Sequence, residues 1–153
     1  MLDYSEADLA LLARVVHGVY GWPVEMHAWY RDVWGVPVEG RTLECDENFY
    51  DTKFEALSYY ADCAWFQIPD FLADPAAALG LLQRLKEDRR ISGCGVIWDC
   101  DGWGCELYVD GVLAADICGP DCLRAIVLAV DGLLAGEKGE LPDGDDAGAD
   151  RRD

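Results

Sequence analysis

The sequence predicts an α/β domain of the α+β kind, with a small antiparallel three- to four-stranded meander sheet packed by helices. Three observations point there. Two segments, 9–20 and 78–85, repeat apolar residues at helical spacing. Residues 94–109 alternate apolar and small or polar residues, the period of a half-covered strand. Asp-Gly pairs at 101–102 and 110–111 stand where two-residue hairpin turns need positions that tolerate positive φ.

The elements follow in order. Ser5 with Asp8 three residues on forms a capping box, though Glu or Gln is the usual partner. Leu9, Leu12, Ala13, Val16 and Tyr20 make the stripe of a first helix, which Gly18 and Gly21 weaken and Pro23 stops. From Trp22 to Val38 the chain is aromatic and broken by Gly35 and Pro37, reading as one or two short strands with turns. Glu39, Glu44, Asp46, Glu47 and Asp51 then gather in a polar stretch, and Phe54, Leu57, Ala61 and Trp65 recur at roughly helical spacing, predicting a helix. Asp74–Pro75 opens the next helix, with Asp as cap and Pro where its missing N–H costs nothing. Ala78, Leu82 and Leu85 form its stripe, and Arg84, Lys86, Arg89 and Arg90 crowd the end that favours cations.

Folding the hairpin about Asp101–Gly102 sets Cys100 opposite Trp103 and Trp98 opposite Cys105, so the apolar residues of both strands share one face. Asp110–Gly111 leads into a third strand, Val112 to Ala115. The last helix starts at Gly119–Pro120–Asp121, runs along Leu123, Ile126, Val127 and Val130, and meets a stop signal at Gly132. Residues 1–136 thus read as a single α/β domain with an aromatic and acidic insertion at about 38–66. Residues 137–153, polar and Gly-rich, read as a disordered acidic tail.

Composition narrows the function classes. In 153 residues, 30 acidic side chains stand against 12 basic ones, a formal charge of −18. Direct binding of nucleic acid or anionic lipid needs clustered Lys and Arg, so that charge argues against both. No apolar run approaches the ~18 residues of a membrane span, and the start is acidic from Asp3 rather than basic as in a secretory signal. The seven cysteines form no CxxC pair and are odd in number, as in a reduced cytosolic protein. Neither they nor His17 and His27 have the spacing of a metal site or a catalytic pair. No glycine-rich phosphate loop or triad motif appears, so no cofactor, metal or catalytic residue is expected.

Several segments, taken in order, resemble the phage ABA sandwich family of small phage proteins. They are LARVVHGVYGW at 12–22, IPDFLADPAAALGLLQRL at 68–85, WGCELYV at 103–109 and ADICGPDCLRAIVLAV at 115–130. Ile68, Pro69, Asp70 and Phe71 stand where that family has a Leu-Pro-Asp-Tyr-like loop. The stretch 38–66 is longer than the family's, and the tail is additional. The resemblance implies a phage or prophage origin in a bacterial cytoplasm, and it implies no catalytic residues.

A small phage protein with this charge can present carboxylates where a host protein expects phosphates, drawn in by electrostatic steering. The expected partner is a host defence or nucleic-acid-binding protein with a basic cleft, inhibited in the manner of an anti-CRISPR or other DNA mimic. Twelve of the 17 aromatic residues lie between positions 22 and 71, beside the acidic stretch. Trp and Tyr are enriched at binding hot spots. The candidate partner-binding residues are therefore Glu39, Glu44, Asp46, Glu47 and Asp51 with Trp29, Tyr30, Trp34, Tyr59 and Tyr60. Two other readings stay open: a sponge for a small molecule or nucleotide, and an acidic protein adapted to salt.

Overall fold

A computed structural model describes residues 4–31, 34–40, 52–99 and 102–137. They form three helices and two antiparallel sheets, an α+β fold. By contact density the chain falls into two compact units. The first holds residues 1–17 and 21–69; the second holds 18–20 and 70–153.

In the first unit, helix α1 (Glu6–Tyr20) starts where Ser5 accepts the Asp8 amide at 3.1 Å. It ends at Gly21, whose φ of 75° lets its N–H return to the His17 carbonyl at 2.8 Å. Leu11, Leu12, Val15, Val16 and Val19 are its buried stripe. A four-stranded sheet follows, in the order β2-β1-β3-β4: β1 is Val24–Arg31, β2 Pro37–Glu39, β3 Thr52–Ala61 and β4 Ala64–Gln67. The expected helix over Phe54–Trp65 is therefore corrected to a hairpin. Its turn is Asp62–Cys63, with φ of 53° and 64°, the paired left-handed geometry of a two-residue hairpin, and Ala61 pairs with Ala64 across it. The misleading spacing arises because Ala56, Leu57 and Ser58 are buried in succession, on both faces of β3, which erases the alternation of a strand.

In the second unit, helix α2 (Pro75–Glu87) is capped by Asp74, which accepts the Ala76 amide at 3.0 Å, and it buries Ala78, Leu81, Leu82 and Leu85. The three-stranded meander β5 (Gly93–Asp99), β6 (Gly102–Val109), β7 (Val112–Gly119) is as expected in order. Its first hairpin is not as expected in register. Asp99 pairs with Gly102, Trp98 with Trp103 and Val96 with Cys105, two residues from the predicted pairing. The shift keeps every residue on its predicted face and sets the two indoles opposite, with ring centroids 6.2 Å apart. Cys100 and Asp101 lie outside the described residues. The second turn keeps its predicted place, with φ of 53° at Asp110 and 79° at Gly111.

Helix α3 (Cys122–Glu137) begins where the Asp121 carboxylate accepts the Arg124 amide at 2.8 Å. It does not stop at Gly132. Leu133 and Leu134 beyond it are buried, so packing carries the helix one more turn. Gly18 permits one such contact, since a Cβ there would come within 2.5 Å of Leu134 Cδ1. Arg90 ties this region together. It donates to the Gly18 carbonyl at 2.8 Å and, through Nε, to Glu137 at 3.2 Å. The Glu137 carboxylate holds the guanidinium above its already high ordinary pKa. None of the helices, among the described residues, is long and apolar enough to cross a membrane.

Candidate partner-binding surface

Both faces of the four-stranded sheet carry chemistry, and strand register decides what each one holds. On one face, β1 places Glu25, His27 and Trp29 at alternate positions. The pairing Trp29↔Glu39 brings Glu39 of β2 to the same side, and β3 and β4 add Ser58 and Trp65. His27 is buried with a carboxylate on each ring nitrogen: Nδ1 lies 3.1 Å from Glu39 and Nε2 3.0 Å from Glu25. The His27 ring lies against Trp65, with centroids 4.0 Å apart and the planes tilted by 40°. Beside it, the Trp29 indole N–H donates to Ser58 Oγ at 2.8 Å, and that hydroxyl donates to the Ala56 carbonyl at 2.9 Å. These hydrogen bonds link β1 to β2 through His27 and Glu39 and to β3 through Trp29 and Ser58.

The other face carries an aromatic ladder. Trp22 stacks on Tyr59 at 4.3 Å and Tyr59 on Phe66 at 5.5 Å, a three-ring ladder whose last member is exposed. Met26 is exposed on that face as well, and Glu55 of β3 shares it. Burial, with the Asp62 carboxylate second, raises the Tyr59 pKa above the ordinary 10.0. Tyr59 is therefore a neutral phenol at any physiological pH.

The candidate residues divide accordingly. Trp34 is 83% exposed and Tyr60 40% exposed, and Tyr59 is half-buried in the ladder. Trp29, Tyr30 and Glu39 correct the expectation: each is less than a tenth exposed, Glu39 being committed to His27. They shape the sheet and do not reach its surface. Glu44, Asp46, Glu47 and Asp51 lie outside the described residues. The remaining described carboxylates are spread over both units, from Glu6 on α1 to Asp116 on β7 and Asp131 on α3. Sequence reasoning missed the His27 cluster and Phe66. The alternation Glu25-x-His27 hinted at the first, but Glu39 joins only through strand pairing.

Two cavities open among the described residues. One of about 410 Å³ is lined by Ala13, Arg14, His17, Pro23, Val24 and Glu25. Another, of about 280 Å³, has Lys86, Arg89 and Ser92 facing Asp110. Among the described residues no group of three or more His, Cys, Asp or Glu is arranged to hold a metal. The described cysteines, Cys63, Cys94, Cys105, Cys118 and Cys122, are free thiols. No family model, no curated protein and no solved structure matches the chain.

Proposed function

We propose that this chain is a non-catalytic phage or prophage accessory protein that works in the cytosol of its bacterial host. It binds a host defence or nucleic-acid-binding protein at a basic cleft and blocks it, its carboxylates taking the place of a polyanion. The charge of −18 carries the reading. Large exposed side chains, which a protein interface needs, stand on the sheet, Met26 and Phe66 on one face and Tyr60 on the other, with Trp34 between β1 and β2. The fixed His27 and Trp29–Ser58 networks make that sheet a preorganised platform, which lowers the entropy cost of docking. Binding would be anchored by aromatics and steered by acids, those of 44–51 foremost.

The sponge reading is weaker on these observations. The cavity holding Lys86 and Arg89 also holds Asp110, and it lies at the C-terminal, electronegative end of α2. A phosphate there would meet a carboxylate and the wrong end of a helix dipole.

Capture from a bacterial lysate, followed by titration of the purified pair, tests the proposal. Affinity is expected to fall at least tenfold between about 50 and about 200 mM salt, and DNA is expected to compete. Replacing Glu44, Asp46 and Glu47 together by Lys should abolish binding with the circular dichroism spectrum intact. An affinity indifferent to salt, DNA and that triple replacement would refute polyanion mimicry.

A further inference from the structure

Among the described residues four strands lie at sheet edges, and three of them are blunted. β2 is three residues long and begins with Pro37. β4 is four residues long. β7 carries Asp116, and its pairing with β6 is broken by a register shift at Leu107/Tyr108. Short strands, prolines, bulges and charges are the devices that keep an edge from pairing with another chain. β5 has none of them. It is seven residues long, regular throughout its pairing with β6, and uncharged from Gly93 to Trp98. Its outer half is apolar and open: Val96 is 38%, Ile97 43% and Trp98 71% exposed.

We propose that β5 pairs with β5 of a second copy of this chain, antiparallel about a two-fold axis through Val96, joining two three-stranded sheets into one of six. The self-complementarity of GCGVIWD selects that occupant. About this axis Val96 meets its own image, Gly95 meets Ile97, Cys94 meets Trp98 and Gly93 meets Asp99. Away from the axis, Ile97 thus faces a glycine and Trp98 a cysteine. Two chains of −18 each would therefore meet along a strip that is uncharged from Gly93 to Trp98. Main-chain hydrogen bonds supply the affinity and the side-chain alternation the register. One strand pair buries less than the ~1,200 Å² of a standard interface, so the dimer exchanges with monomer.

Light scattering and sedimentation equilibrium on the full chain, in reducing buffer at about 0.15 M salt, read the outcome. The mass should rise from 16.9 kDa toward twice that value between ~1 and ~100 µM chain. V96E, which sets two carboxylates together on the axis, should hold the chain monomeric across that range, while L113K on the β7 edge should dimerise like the parent. Should V96E fold poorly, amide exchange of the parent serves instead, with protection of residues 94–98 rising with concentration. A chain that stays monomeric at ~100 µM, exchange there that ignores concentration, or a dimer abolished by L113K and spared by V96E would each overturn the proposal.

Discussion

Cys105 shows how far the surroundings of one atom can set its chemistry. It is fully buried on β6, and desolvation, aided by Cys94, Cys122, Glu106 and Asp116, pushes its pKa from an ordinary 9.0 up to about 12. A thiol reacts as the thiolate, so Cys105 should be inert to alkylating reagents at neutral pH while the exposed Cys63, Cys94 and Cys118 are modified. Peptide mapping after iodoacetamide treatment of the native protein checks this, and early labelling of Cys105 would refute its burial. The same shift links to stability. The fold favours the neutral thiol, so its contribution is intact below pH 9.0, the ordinary value, and is lost as pH rises toward about 12. Tyr59 and Tyr108 are raised in the same direction, Tyr108 chiefly by its hydrogen bond to Glu106, and they add to the alkaline loss. C105V should flatten that part of the pH profile. His27 is the contrasting case, a buried polar group with a carboxylate within hydrogen-bond distance of each ring nitrogen.

At the scale of elements, caps and turns were legible and buried strands were not. Ser5, Asp74 and the Asp110–Gly111 turn act locally, through a side chain or a backbone angle, so their residue types announce them. The β3–β4 turn uses Asp62 and Cys63 where Asn-Gly or Asp-Gly would be the readable signal, and a Cys at φ 64° is a conformation only tertiary pairing selects. The β5–β6 register slipped by two residues because alternation fixes which face a side chain takes and leaves its opposite number undecided. Gly132 misled for a related reason: its local preference to end a helix lost to the burial of Leu133 and Leu134. No heavy atom lies within 4 Å of a Cβ built there, so G132A should stabilise the protein by about 0.5–1 kcal/mol. Thermal or urea unfolding measures it, and a lower midpoint would show that this helix turn needs glycine.

Charge acts on the whole molecule. Seventeen acids and eight basic residues fall among the described positions, so about half of the −18 comes from residues outside them. Self-repulsion of that size opposes compaction, and salt screens it over roughly a Debye length of 10 Å at 0.1 M. The melting temperature should therefore climb as sodium chloride goes from about 10 to about 500 mM, most steeply at the low end. A melting temperature that is flat or falling with salt would mean that the acids are locally compensated. It would also weaken the case for a coherent polyanionic surface.

The sequence by itself determined the fold class, the capped helices, the order of the meander and the strong negative charge, because each is written in local residue types or in simple sums over them. Tertiary structure alone decided that residues 52–67 form two strands, that Glu39 joins His27 and Trp29 inside a sheet, and that Phe66 and Trp98 stand at the surface. Those outcomes depend on pairings between distant residues, and a strand buried on both faces or left open at an edge has the same local composition as many other segments.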